Sequence, residues 1–270
     1  MNKKIQKYIN ICFFTYLSIK SFLWYENSNL QLTKYDYFLN EKYKDLKDLK
    51  IVQISDLHDK SFGFNQFFLL NKIKKLNPDL ILTTGDMSNL INTKNCLILF
   101  KGLTKLAPTY YITGNHEEVK GEVLINRLVN KLKNIGVKCL INDTGSFYFN
   151  NCKLNLIGLK SCNLSFLNIS NLDDNFNILL THEPQEVYKY CSYFNIAFSG
   201  HTHGAQWRIP ILDKGIFAPD QGIFPKYDAG KYNLGNSVLY INRGLGNETI
   251  IPRINNRPEI IEITFKYKKK

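Results

Sequence analysis

Five short hydrophobic runs recur along the chain, and each is followed, directly or after one glycine, by polar side chains of the kinds that bind metals. The runs are 51–55, 80–84, 110–113, 178–181 and 195–199. Continuous apolar runs of this length are typical of strands that are buried on both faces. In open α/β sheets, sites form at the carboxyl ends of the strands. We therefore expect the five polar ends to gather at one edge of the fold.

The segments between and after these runs predict the rest of the architecture. Apolar residues spaced three and four apart predict helices over 65–76, 93–106 and 119–135. The alternation of strand and helix favours βαβ units and a mostly parallel first sheet. A hairpin and four later strands predict a second sheet that faces the first. These strands are 146–150, 154–159, 176–181, 196–199, 237–242 and 259–267. The predicted fold class is α/β, with two facing mixed β-sheets flanked by helices and an N-terminal apolar helix.

Residues 1–26 differ in character from the rest of the chain. Three lysines precede a mostly apolar and aromatic stretch, Tyr8–Tyr25, which only Lys20 interrupts with a charge. This pattern predicts a membrane anchor with the N-terminus in the cytoplasm and the catalytic domain outside it. A removed signal peptide and an interfacial or packed helix remain alternatives, and a cytoplasmic domain follows if Lys20 prevents insertion. Residues 27–48 are predicted to be a linker that passes into an edge strand, and 49–270 to be one domain.

The composition narrows the function only slightly. The formal net charge is +12, which by itself is compatible with nucleic-acid binding. The lysines are spread along the whole chain, however, so the charge indicates a solvated surface, and a nucleic-acid partner is not expected. The six cysteines include no C-x-x-C pair, which argues against a structural zinc knuckle.

The histidines carry the chemical signal. Two of the five histidines lie one residue apart in Gly200-His201-Thr202-His203-Gly204, directly after an apolar run. Residues i and i+2 of a strand point to the same face, and the glycines leave room for a sharp turn. The others, His58, His116 and His182, end further runs beside Asp, Asn or Glu. Imidazoles and carboxylates that converge in this way indicate a metal site.

These motifs resemble a known family when they are taken together. They are Asp56-x-His58, Gly85-Asp86, Gly114-Asn115-His116-Glu117, His182 and Gly200-His201-x-His203. Their order and spacing resemble those of the calcineurin-like metallophosphoesterases, and most closely a bacterial membrane-associated branch related to UDP-diacylglucosamine pyrophosphatases. The resemblance covers residues 50–265 and implies a four-layer α/β/β/α sandwich.

The resemblance also implies a dimetal centre. It places Asp86 between two divalent ions, because a carboxylate has two oxygens and a negative charge. One ion is held by Asp56, His58, Asp86 and His203, and the other by Asp86, Asn115, His182 and His201. Mixed nitrogen and oxygen ligands suit Mn, Fe or Zn. The implied reaction is hydrolysis of a phosphomonoester, phosphodiester or pyrophosphate by a metal-bridging hydroxide.

His116 is the implied catalytic residue outside the ligand set. By resemblance it faces the substrate and stabilises the transition state or protonates the leaving oxygen. Asn89 stands where relatives often carry an acid that orients this histidine, and an amide cannot stabilise an imidazolium by charge. The acid role of His116 is therefore less firmly implied than the metal site.

Several other residues have two interpretations each. Asp59 either supports the ligands or caps the next loop. Glu117 and Glu183 either orient the neighbouring histidines or begin helices. The three arginines Arg208, Arg243 and Arg253 either meet phosphate oxygens or form surface pairs. The long segment 205–235 either forms a wall or lid for an acyl chain or nucleoside, or packs on itself.

The expected substrate is a phosphorylated small molecule or lipid. Two rival functions stay open. A nuclease of the same superfamily is favoured weakly by the basic charge, and the salt dependence of DNA binding would distinguish it. A non-catalytic binding module need not keep all seven ligands, and the metal content per chain would distinguish that reading.

Overall fold

Two six-stranded sheets form the core of the protein in its computed structural model, which describes residues 3–89, 93–160, 174–247 and 251–268. The first sheet has the strand order β1-β16-β2-β3-β4-β5. Its strands are Gln31–Phe38 (β1), Lys50–Ile54 (β2), Leu80–Thr84 (β3), Thr109–Ile112 (β4), Lys138–Cys139 (β5) and Glu259–Lys266 (β16). β2 to β5 run parallel to one another, as predicted.

The position of β16 corrects the prediction for the last strand. It was expected in the second sheet, but it lies in the first, antiparallel to β2 and parallel to β1. Ile260 packs toward the helices, whereas Ile261 and Ile263 pack toward the opposite sheet. Because both faces of this strand are apolar, it is suited to an interior position in a sheet that is covered on both sides.

The second sheet has the order β14-β15-β9-β8-β7-β6. Its strands are Asp143–Phe149 (β6), Cys152–Leu159 (β7), Phe176–Thr181 (β8), Ile196–Ser199 (β9), Gly230–Leu234 (β14) and Ser237–Ile241 (β15). β6 and β7 form the predicted hairpin. β7, β8, β9 and β15 run parallel, so the second sheet is mixed like the first.

The largest apolar cluster between the sheets draws on both of them, and includes Ile51 and Leu82 from one and Ile178 and Phe198 from the other. A second cluster packs three helices onto the outer face of the first sheet. These helices are Phe67–Lys74 (α2), Lys94–Leu103 (α3) and Glu122–Asn134 (α5). Two facing mixed sheets flanked by helices are therefore confirmed.

The predicted helix over 119–135 is interrupted at its start. A four-residue helix, Asn115–Glu118 (α4), ends before Gly121, and α5 begins directly after it. Gly121 has a φ of +88°, a conformation that a continuous helix does not contain. The break directs α4 toward the sheet edge, where Asn115 and His116 lie.

The outer face of the second sheet is covered differently from the prediction. Leu179 and Leu239 pack there against Val187, which belongs to a short 3₁₀ helix, Val187–Tyr190. Within the described ranges, no α-helix contributes to this cluster. The fourth, helical layer implied by the resemblance is represented here by that 3₁₀ helix and by loops.

The N-terminal segment forms a 26-residue helix, Lys3–Ser28 (α1), but the predicted transmembrane anchor is not supported. Over the part of the chain that the structure describes, no helix combines the length and the apolar character needed to cross a membrane. α1 is long enough, but Asn10, Lys20 and several hydroxyl side chains dilute its apolar residues.

The end of α1 and the segment after it join the folded domain. The Glu26 carboxylate accepts a hydrogen bond from the Asn256 backbone N–H (3.0 Å), and the Asn27 side chain accepts one from the Arg253 backbone N–H (2.9 Å). The edge strand that residues 27–48 were predicted to pass into is β1, which begins at Gln31, near the start of that range, and pairs with β16 along its whole length.

Candidate metal centre

The predicted ligands lie at the carboxyl ends of five parallel strands and meet at one edge between the two sheets. Asp56 and His58 follow β2, Asp86 follows β3, and Asn115 follows β4. From the second sheet, His182 follows β8, and His201 and His203 follow β9. The two sheets are tied together at this edge by Gln53, whose side-chain amide donates to Thr84 Oγ1 (3.0 Å) and to Ser199 O (2.8 Å).

The first group of ligand-type atoms centres on two imidazoles. Nε2 of His58 lies 3.2 Å from Nε2 of His203. Asp56 Oδ1 lies 3.6 Å from the same nitrogen of His203. Burial lowers the pKa of His58, and burial together with His58 and Arg253 lowers the pKa of His203 well below its usual value. Both rings are therefore held neutral, which is the form that binds metals.

The second group centres on His182 and His201. Nε2 of His182 lies 3.1 Å from Asp86 Oδ2, and Nδ1 of His201 lies 3.1 Å from Asn115 Oδ1. His182 Nδ1 lies 2.7 Å from the Thr84 carbonyl oxygen, so this nitrogen donates its hydrogen there and Nε2 is the nitrogen that faces the carboxylate. That buried Nε2 makes no well-aligned hydrogen bond. A buried nitrogen that lacks a hydrogen-bond partner and faces a carboxylate in this way is suited to bind a metal ion.

Asp86 belongs to both groups. Its Oδ2 atom lies 3.8 Å from His58 Nε2 as well as 3.1 Å from His182 Nε2. Burial raises the pKa of Asp86, but attraction to His182 and His58 outweighs burial and lowers it overall. Burial lowers the pKa of His182, but the charge of Asp86 outweighs burial and raises this pKa overall to about 10. These two opposite pKa shifts indicate that the surroundings of the Asp86 carboxylate strongly favour a positive charge beside it.

The backbone at these ligands adopts an uncommon conformation. Five of the seven predicted ligands have positive φ angles, namely Asp56, His58, Asp86, His201 and His203. Each such non-glycine residue costs on the order of 1–3 kcal/mol and persists only where the surrounding structure enforces it. Gly85 has a φ of +87°, and a Cβ there would lie 2.7 Å from His182 Nδ1. The glycines in the motifs are explained by such close approaches.

Glu117 holds the loop that carries Asp86, a role that the sequence did not predict. Its fully buried carboxyl group accepts hydrogen bonds from the backbone N–H groups of Asp86, Met87, Ser88 and Gly114, at 2.8–3.0 Å. Burial and the charge of Asp86 raise the pKa of Glu117 to about 8, whereas the backbone donors act in the opposite direction. Its hydrogen bonds therefore orient the Asp86 loop.

His116 lies at the rim of the centre. Its backbone N–H donates to Asp86 Oδ1 (3.0 Å), and its ring packs edge-on against His58 with centroids 4.9 Å apart. Ligand-type atoms of His58, Asp86 and His116 all lie within 4.8 Å of one another. Because its ring is only partly buried, His116 can reach a group bound in front of the centre.

Two of the open interpretations are settled by hydrogen bonds. Asp59 Oδ1 accepts from the Cys96 backbone N–H (2.8 Å), so it caps the N-terminal turn of α3. The Thr84 carbonyl oxygen, rather than Glu183, accepts from the His182 ring, so the alternative in which Glu183 orients His182 is not supported.

The three arginines are engaged within the protein. Arg253 is fully buried and donates to the Gly246 carbonyl oxygen (2.6 Å), while its Nη2 lies 3.3 Å from His203 Nδ1. Arg208 is buried between Asp213 and Asp228. Arg243 pairs with Asp213 and Glu259. Arg208 and Arg243 thus each pair with the largely exposed Asp213, in line with the predicted surface pairing, and with one buried carboxylate, whereas Arg253 supports the loop behind the centre from the interior.

The segment 205–235 reaches the centre through one side chain. It contains two small hairpins, Arg208–Ile209 (β10) with Lys214–Gly215 (β11) and Phe217–Ala218 (β12) with Gly222–Ile223 (β13). Asp220, in the turn between β12 and β13, places Oδ2 2.8 Å from His201 Nε2. Asp220 could not be predicted from the sequence, because an acid in an irregular turn carries no periodic signal.

Fold and site together define the class of protein. The family model described as calcineurin-like phosphoesterase matches residues 49–205, which include all seven converging ligand-type residues. The chain belongs to this family and is a metal-dependent hydrolase.

Sequence similarity to individual proteins extends beyond the residues that the family model matches. The chain is 30% identical over 239 residues to the uncharacterized metallophosphoesterase YkuE of Bacillus subtilis, covering 80% of this chain and 79% of that protein. It is 28% identical to the phosphodiesterase YaeI of Escherichia coli, covering 78% and 80% of the two chains. It is 26% identical to the UDP-2,3-diacylglucosamine pyrophosphatase LpxG of Chlamydia muridarum, covering 87% and 89%.

Proposed function

We propose that this protein hydrolyses phosphoric esters or pyrophosphates at a centre of two divalent metal ions. Asp56, His58, Asp86 and His203 would hold one ion, and Asp86, Asn115, His182 and His201 the other. The observation that supports this most strongly is that a single oxygen, Asp86 Oδ2, faces imidazole nitrogens of both groups. The mixed nitrogen and oxygen donors favour Mn, Fe or Zn.

The residues of the chain divide the chemistry among them. When bound, two ions supply Lewis acidity and neutralise charge on a phosphoryl group. Asp86 contributes the negative charge at the shared position, and Glu117 keeps its loop in place through the backbone. His116, at the rim, holds a proton on its ring and delivers it to the leaving oxygen.

A lipid-linked pyrophosphate is the substrate class that we place first. The similarity to LpxG extends over most of both chains. The segment 205–235 also exposes apolar side chains, including Ile211, Ile223 and Phe224, on the same segment as Asp220, which contacts His201. A phosphodiester, supported by the similarity to YaeI, comes second. The extracytoplasmic location of the domain requires residues 1–26 to span a membrane, so it stays a prediction beside the cytoplasmic alternative.

Hydrolysis assays that start from metal-stripped protein test the proposal. The substrates are p-nitrophenyl phosphate, its bis-ester and UDP-2,3-diacylglucosamine, each assayed while Mn²⁺ is restored. We expect activity that requires metal, is lost in Asp86→Asn and is retained in Asp36→Asn, a control at an exposed aspartate of β1. Activity that survives metal removal, or that Asp86→Asn leaves intact, would refute the dimetal reading. Cleavage of DNA in preference to all three substrates would favour the nuclease instead.

A further inference from the structure

We propose that Asp220 is a positioning residue that fixes the orientation and proton position of the His201 ring for metal binding. This inference rests on the proposed function, because it takes His201 to be a ligand. The two ring nitrogens of His201 have different partners. Nε2 lies 2.8 Å from Asp220 Oδ2, and Nδ1 lies 3.1 Å from Asn115 Oδ1.

The chemistry of imidazole connects these two contacts. A neutral ring has one N–H and one lone pair, and the partner of one nitrogen decides which nitrogen carries the hydrogen. Both partners are acceptors, but the carboxylate of Asp220 is charged and closer than the amide oxygen of Asn115, so Asp220 keeps the hydrogen on Nε2. The lone pair is then left on Nδ1, which faces Asn115 and the second ligand group. A carboxylate on the remote nitrogen also fixes the orientation of the ring.

The neighbouring ligand His182 is fixed in the same way but from inside the sheet. Its Nδ1 donates to the Thr84 carbonyl oxygen, and its Nε2 faces Asp86. His201 lies beyond the end of β9, and its remote nitrogen is instead met by Asp220. Both histidines of the second group thus have an acceptor on the nitrogen that points away from the ligands.

The turn that carries Asp220 is held firmly in place. The side chain of Gln221 accepts from the Tyr227 backbone N–H (2.9 Å) and donates to the Tyr227 carbonyl oxygen (2.7 Å). The Asp228 carbonyl oxygen accepts from Thr202 Oγ1 (2.5 Å), which lies between His201 and His203. The Asp220 side chain itself is 66% exposed. Removing its carboxylate should therefore cost a contact with His201 and little packing.

Metal affinity, measured separately from activity, is the decisive readout. The variants are Asp220→Ala, Asp220→Asn and the control Asp213→Asn. Asp213 lies in the same segment with a 75% exposed carboxylate, but it pairs with arginines rather than with a histidine. Mn²⁺ and Co²⁺ affinities come from competition with a chelator, and the visible absorption of the Co²⁺ protein reports each ligand environment.

We expect Asp220→Ala to weaken one of the two sites about 10–100-fold, the usual effect of losing such a partner, and to change the Co²⁺ spectrum of that site alone. Asp220→Asn, which keeps an acceptor but loses the charge, should weaken the same site less. Asp213→Asn should match the wild type. Unfolding midpoints in EDTA should be equal for the wild type and Asp220→Ala.

Two results would overturn the inference while leaving the proposed function intact. One is that the wild type binds two ions and Asp220→Ala binds both ions with affinities within twofold of the wild-type values. The other is an equal loss at both sites with a lower unfolding midpoint, which would indicate a general structural role. A folded wild-type protein that binds no metal would refute the inference and the proposed function together.

Discussion

Asp228 is the buried carboxylate on which the segment beside the metal centre depends, and its replacement gives a large predicted effect. Oδ2 accepts from Arg208 (3.2 Å) and from the Gly215 backbone N–H (2.7 Å). Oδ1 accepts from the Ala229 backbone N–H (2.9 Å) and from the Tyr232 hydroxyl (2.6 Å). Asp228→Asn keeps one acceptor oxygen but places an NH₂ group where Arg208 and Gly215 need an acceptor.

The expected cost follows from those two lost hydrogen bonds. A buried N–H left without an acceptor costs about 1–3 kcal/mol, and a lost hydrogen bond to a charged group about 1.5–3 kcal/mol. Asp228→Asn should therefore lower the free energy of unfolding by about 2.5–6 kcal/mol, out of a typical total of about 5–15 kcal/mol. Urea unfolding at pH 7 in EDTA measures this loss without a contribution from bound metal.

Asp213→Asn is the matched control, because Asp213 also pairs with Arg208 but is mostly exposed. Exposed ion pairs contribute about 0–1 kcal/mol, so this variant should lose less than ~1 kcal/mol. Burial raises the pKa of Asp228, but the hydrogen bonds from Tyr232 and Gly215 lower it overall. Its stabilisation is thus present above the unfolded pKa of 3.8 and is lost as the pH falls below that value. Equal losses in the two variants, or a loss below ~1 kcal/mol in Asp228→Asn, would refute the reasoning.

Three further predictions concern single residues. Burial raises the pKa of Glu118 to about 7, so its carboxyl group makes the wild type lose stability as the pH rises from 4.5 to 7. The loss over this range should be smaller in Glu118→Gln, where the raised pKa of Glu117 still contributes; parallel pH profiles in urea unfolding would contradict this. Gly85→Ala should abolish tight metal binding in a titration, because its Cβ would lie 2.7 Å from atoms of Gly114 and His182. A variant with wild-type affinity would contradict this and show that the loop can shift to make room. Phe100→Ala, at a fully buried residue of the cluster that packs the helices onto the first sheet, should cost about 3–5 kcal/mol of unfolding free energy without changing the metal count. A cost below ~1 kcal/mol would contradict the packing.

The strand-end ligands could be predicted because two local signals coincide in them. Each apolar run marks a strand, and each polar residue that follows a run, directly or after one glycine, marks a carboxyl end. Asp56, Asp86, Asn115, His182 and His201 follow this rule, and the structure brings all of them to one edge. Only the parallel arrangement of the strands was needed to infer that they meet.

Other features depend on partners distant in the sequence. β16 joins the first sheet because its two apolar faces match two separate clusters, and no local pattern shows which neighbours it has. Glu117 forms hydrogen bonds with backbone groups about thirty residues away, and backbone N–H groups leave no trace in the sequence. Asp220 is an exposed acid in a turn, where acids are common without any function.

The N-terminal helix shows the limit of counting apolar residues. The stretch Tyr8–Tyr25 forms a helix, as its composition suggests, but its polar residues lower the average hydropathy below what a span requires. The Glu26 and Asn27 contacts with the folded domain come from two polar residues beyond that stretch. They could not be inferred, since their partners lie more than 200 residues along the chain.

The number of metal ions per folded chain is the most direct test of a shared dimetal centre. Equilibrium dialysis of the metal-stripped protein against Mn²⁺, followed by elemental analysis, gives this number for the wild type and for Asp86→Asn. The account predicts two ions per wild-type chain and fewer than one in the variant, because Asp86 faces both ligand groups. A folded wild type that retains no metal, or an Asp86→Asn variant that retains both ions, would contradict it.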